Sequence, residues 1–94
     1  LIKNYMEEVV DKVLIEVLND YKDSCHCAMC IDDIKAMALN RLPPQYICTE
    51  KGLLYTKSNE LMTQFKTDII KEVIMAIEIV TKNPRHEHSH NIIA

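Results

Sequence analysis

Residues 23–33 read D-S-C-H-C-A-M-C-I-D-D, which puts the thiols of Cys25, Cys27 and Cys30 within six residues and leaves one other cysteine, Cys48. Thiols at this spacing can do three kinds of chemistry. Disulfide formation suits them poorly, because Cys25 and Cys27 are too close in the chain for an easy bridge and the cluster holds an odd number. A redox pair, Cys27-x-x-Cys30 at a helix N-terminus, would have a thiol pKa lowered by the helix dipole, but Cys25 then has no part. A tetrahedral zinc site uses all three, since a turn leading into a helix can gather closely spaced thiolates around one ion. C-x-C-x2-C is half of such a signature and requires a fourth donor. Zinc ranks first on this count, ahead of chance buried or unligated cysteines.

The elements that must hold the cluster follow from apolar spacing. Residues 1–21, LIKNYMEEVVDKVLIEVLNDY, repeat apolar positions at Ile2, Met6, Val9, Val10, Val13, Val17 and Tyr21, a helical period that should end near Asp23-Ser24. A second helix runs from about Cys30 to Leu42, with Asp32 and Asp33 in its first turn, where carboxylates suit the positive end of the dipole. Pro43-Pro44 stops it. Tyr46–Thr49 and Leu53–Tyr55 flank Glu50-Lys51-Gly52 and predict a short β-hairpin or extended arm. Ser58 then N-caps a long last helix over about 59–81. Asn83-Pro84 ends it, and a flexible polar tail over about 83–94 carries His86, His88 and His90.

Composition narrows the class. The 94 residues are 48% apolar and 27% charged, with one Gly and three Pro, so one folded, mainly helical domain over 1–94 is expected. No Trp and one Phe imply an aliphatic, Met-rich core. No window nears the ~18–20 apolar residues of a membrane span, and acidic residues break the first apolar stretch before it resembles a signal peptide. The chain opens at Leu1 without a methionine, which implies residues before it. With a net charge of −3 and scattered basic residues, the sequence lacks the Lys/Arg stripe of a duplex-binding surface. A small anion needs only one or two basic groups.

Geometry bears on the fourth donor. The second helix leads away from the cluster for about 18 Å, and Cys48 lies six residues beyond that far end. It would have to return fully extended at ~3.3 Å per residue. The last helix runs back and overshoots the cluster, which brings the tail histidines His86, His88 and His90 to the metal end. They are favoured over Cys48, and His26 can serve only if the loop turns sharply; the bland reading of these histidines is a solvated tail. The last helix carries apolar side chains over well over half its circumference, from Leu61 to Val80. An ordinary amphipathic helix needs a stripe of only about 100°. The helix is either wrapped by its own chain or, as favoured here, the interface of a homodimer.

With these pieces placed, the chain resembles the late competence development protein family, ComFB. N-Y-M-E-E-V-V, C-x-C-x2-C followed by D-I-K-A-M-A-L-N, then L-P-P-Q-Y and T-E-K-G-L-L-Y-T-K carry the likeness in order over most of residues 4–60, while the last helix matches by pattern only. The resemblance implies a small, mainly helical, dimeric domain. It also implies zinc held by Cys25, Cys27 and Cys30 and completed by a cysteine after the last helix. That cysteine is absent here, and the nearest position, four past Pro84, is His88. Some relatives resemble receptors for cyclic dinucleotides. Shared here, that role would use phosphate donors and stacking surfaces around the Pro-Pro turn and the start of the last helix, a natural anion site, namely Arg41, Tyr46, Lys57 and Ser58. The bland alternative has Tyr46 packed on the hairpin and Lys57 solvated.

The reading is a mainly α, three-helix domain with a short β-hairpin or extended arm and a zinc knuckle over 25–30, cytoplasmic and homodimeric. Its expected role is binding cyclic di-AMP or cyclic di-GMP. The alternative is a zinc-stabilised adaptor for protein partners in competence or related regulation. An enzyme is not expected, since three thiolates plus a fourth protein ligand leave no open metal position and one glycine leaves no room for a phosphate-cradling loop.

Overall fold

Three helices and two short strands follow one another as β1 (Ile2–Asn4), α1 (Met6–Leu18), α2 (Ala28–Arg41), β2 (Tyr46–Cys48) and α3 (Lys51–Lys82). This computed structural model describes residues 2–48 and 51–83, with the backbone alone for 51–58. The 32 residues of α3, at about 1.5 Å each, account for the longest dimension of the molecule, 49 Å against 26 and 20 Å. Helices α1 and α2 pack on α3 and on each other.

Helix α1 forms where Met6, Val9, Val10, Val13 and Leu14 fall on one face and are all buried, with Glu7 and Glu8 in the first turn next to the positive end of the dipole. It begins later than residues 1–21 predict, because Ile2–Asn4 pairs antiparallel with Tyr46–Cys48, Lys3 opposite Ile47. Asn4 fastens the junction: its Oδ1 accepts from the Met6 N–H at 3.1 Å and from the Gln45 N–H at 2.8 Å. At the other end the chain tightens into i→i+3 bonds, Asp20 N–H to Val17 O and Tyr21 N–H to Leu18 O, which satisfy carbonyls the helix leaves open.

Helix α2 buries Cys30, Ile34 and Ala38, one turn apart. Leu42 caps it in an extended conformation, as the residue before Pro43 must, and is itself buried. Helix α3 contributes Leu61, Ile69, Val73, Ala76, Ile77 and Val80 to the core, where they meet Tyr5, Met6 and the α1 valines.

The predicted hairpin across Gly52 is corrected: residues 53–55 lie in α3, and β2 takes β1 as its partner instead. Gly52 falls at the second position of α3, where a helix tolerates glycine better than in its interior, and the Leu, Lys and Glu that follow are good helix formers. Ser58 is therefore inside the helix and is not its N-cap. The apolar width of α3 is largely covered by the chain itself, leaving Ile70 and Ile74 half-buried and Ile79 38% exposed. No described helix is long and apolar enough to cross a membrane.

Candidate metal centre and adjoining cleft

The link from α1 to α2 turns through residues 19–27 and delivers the three thiols to one point. The Sγ atoms of Cys25, Cys27 and Cys30 all lie within 4.8 Å of one another, close enough to bind one metal ion. Cys30 is buried, at 1% exposure, while Cys25 and Cys27 are half-buried against the core. None of the four cysteines is in a disulfide.

Cys27 is the N-cap of α2. Its backbone is extended and its sulfur accepts the Cys30 N–H at 3.4 Å. That N–H donor is the main reason its thiol pKa is lowered; hydrogen bonds from the Cys25 and Cys30 thiols help, and burial works against them. Cys30 goes the other way, pushed up to about 12, first by burial and then by the two neighbouring thiols. Holding all three as thiolates in so small a space would require a cation, and a divalent ion would supply it.

The fourth donor is narrowed by what the described residues do. His26 is turned to the Tyr21 carbonyl, Nε2 to O at 3.0 Å, and is not among the clustered donors. Cys48 sits on β2 beside Ile2, so the 13 residues of α1, about 20 Å, lie between it and the cluster. Cys48 is thereby removed as a ligand from the same chain. The far end of α3 does arrive at the cluster: Ser24 Oγ and Thr81 Oγ1 are 3.2 Å apart. His86, His88 and His90 lie outside the described residues.

A cleft of about 550 Å³ opens between α2 and the last turn of α3, lined by Asp33, Ala36, Met37, Asn40 and Arg41 on one side and Ile79, Val80 and Asn83 on the other. Of the anticipated ligand residues whose side chains are described, Arg41 lines it and Tyr46 does not. Arg41 is exposed and enters no ion pair among the described residues. Tyr46, 63% exposed, stands on β2 outside the cleft. Lys57 and Ser58 lie seven and eight positions into α3, so the helix start expected beside them is corrected to Lys51; their side chains lie outside the described residues. Sequence reasoning missed Met37, Asn40, Ile79 and Asn83 as cleft residues. The available signal was the 33-36-37-40-41 spacing, a second stripe on α2 beside the Cys30-Ile34-Ala38 core stripe.

Fold and cluster together define a small three-helix domain with a cysteine knuckle at a helix junction. The chain belongs to the ComFB family: the family model described as late competence development protein ComFB matches residues 3–84. It is 25% identical over 84 residues to competence protein ComFB of Bacillus subtilis (strain 168), across 89% of this chain and 86% of that protein. It also matches the solved structure of the late competence protein ComFB from Bacillus subtilis with a TM-score of 0.77 and 24% identity, over 89% of this chain and 92% of the other. At that identity the structural likeness speaks to the fold.

Proposed function

We propose that this chain is a zinc-stabilised regulatory protein of the ComFB family that acts by binding a cyclic dinucleotide, as a homodimer in the reducing cytoplasm. Membership of the family supports a competence-related role. Zinc is supported by the thiol cluster. A tetrahedral ion with Zn–S bonds of about 2.3 Å has S···S edges of about 3.8 Å, which sulfurs already within 4.8 Å reach by small side-chain rotations. Cys25, Cys27 and Cys30 would hold it as thiolates, with His88 as fourth ligand; so closed a shell suits structure rather than catalysis, and we read the chain as no enzyme.

The observation that carries the ligand reading is the α2–α3 cleft. Its volume is in the range of small-molecule sites, and it combines an apolar floor with a few polar groups. Met37 and Ile79 offer a face for a base, Asn40 and Asn83 amides for its edge, and Arg41 a cation for phosphate. Asp33 lies two turns from Arg41, about 12 Å along α2, so its charge sits away from that cation.

Calorimetry with cyclic di-AMP and cyclic di-GMP tests this. Binding by the zinc-loaded protein is expected, weakened about tenfold or more in Arg41→Ala, as a lost charge-assisted bond implies. No heat with either dinucleotide would reject the receptor reading. A second reading, an adaptor for a protein partner, is favoured by the outer face of the small sheet, where Ile2 and Tyr46 are 70% and 63% exposed.

A further inference from the structure

The last turn of α3 is shared between two features. Ile79, Val80 and Asn83 form one wall of the cleft. Glu78, Thr81 and Lys82, alternating with them along the same turn, border a smaller hollow of about 300 Å³ against Tyr21 and Ser24 of the cysteine loop. Beside this hollow the loop reaches the last turn of α3 through a hydroxyl pair, Ser24 Oγ and Thr81 Oγ1, 3.2 Å apart, in addition to the packing of Tyr21, Cys25 and Cys27 against the core. Ser24 is one residue from Cys25. The opposite wall of the cleft is α2, whose N-terminus is the Cys27 cap and whose first buried residue is Cys30.

We propose that the knuckle regulates the cleft: a metal ion on Cys25, Cys27 and Cys30 fixes Ser24 relative to α2, and Ser24 in turn fixes the last turn of α3 through Thr81. This rests on the metal reading above and adds a regulatory role to it. The mechanical path runs from α2 through Cys27 and Cys30 to the ion, then through Cys25 and Ser24 to Thr81. Without the ion, the loop end is tethered by the Ser24 N–H to Tyr21 O bond and the His26 contact to that same carbonyl. Both bonds lie within the loop and neither reaches α3. Metal loss therefore frees the α3 wall locally while the α1–α3 core stays packed, a local opening of the kind helix ends undergo.

Hydrogen–deuterium exchange on the full chain tests it, with zinc content measured on every sample under reductant. The reporters are amides 78–83, including the Asn83 N–H bonded to Ile79 O at 3.1 Å; amides 9–14 of α1 serve as reference. Removing zinc from the wild type should raise exchange at 78–83 and leave 9–14 protected. The decisive sample is Ser24→Ala/Thr81→Val carrying one zinc. Its amides 78–83 should exchange roughly three- to tenfold faster than wild type, the range expected for one lost hydrogen bond, with 27–34 unchanged. Zinc-loaded double variant protected like wild type overturns the coupling alone. Wild type that takes up no zinc overturns the metal reading and this proposal together.

Discussion

Cys27 both caps α2 with its sulfur and belongs to the clustered donors, and two substitutions separate these roles. Serine is a good N-cap and a poor zinc ligand; alanine is neither. Cys27→Ser and Cys27→Ala should both lose the metal. In metal-free form the serine variant should then be the more stable by about 1 kcal/mol, measured by urea unfolding. Equal stability would remove the capping role. The pKa shifts give a direction for pH. Cys30, raised to about 12 by burial, keeps its proton at neutral pH in the metal-free chain, and binding must expel it. Zinc affinity should therefore rise with pH and fall by at least about tenfold per pH unit on acidification, as competition with a chromogenic chelator would report. A flat profile between neutral and mildly acidic pH would mean that the thiols are not the ligands.

At the scale of elements, the junction of β1, α1 and β2 hangs on Asn4. Its side chain accepts from both Met6 and Gln45, so Asn4→Ala should cost about 1–3 kcal/mol by leaving two N–H groups without that acceptor. Thermal unfolding checks this, and a change within error would show that other groups satisfy those donors. The same junction marks the limit of what the sequence discloses. Helix α2, the core stripe of α1 and the cysteine cluster are local patterns, legible from spacing. Ile2–Asn4 also fits a helical period, and only pairing with residues more than forty positions away makes it a strand. Gly52 looked like a turn because its cost was weighed without its position near the start of α3. The cleft was hidden for a related reason: its walls are assembled from two helices whose juxtaposition no local pattern encodes.

At the scale of the molecule, the apolar width of α3 has two explanations that substitutions can now tell apart. Ile77 is fully buried in the chain's own core, so Ile77→Glu would strand a charge there and should unfold the protein. Ile70 is only half-buried. In the homodimer we propose, Ile70→Glu should give a folded monomer with helicity retained, against a wild-type dimer, by light scattering and circular dichroism. A monomeric wild type would assign the α3 surface to intrachain packing alone. The claim on which the rest depends is that the three clustered cysteines hold a structural ion. Metal analysis of the reduced, purified chain tests it most directly. One zinc per chain is predicted, lost in Cys30→Ser, and well under one equivalent in the unoxidised wild type would contradict it.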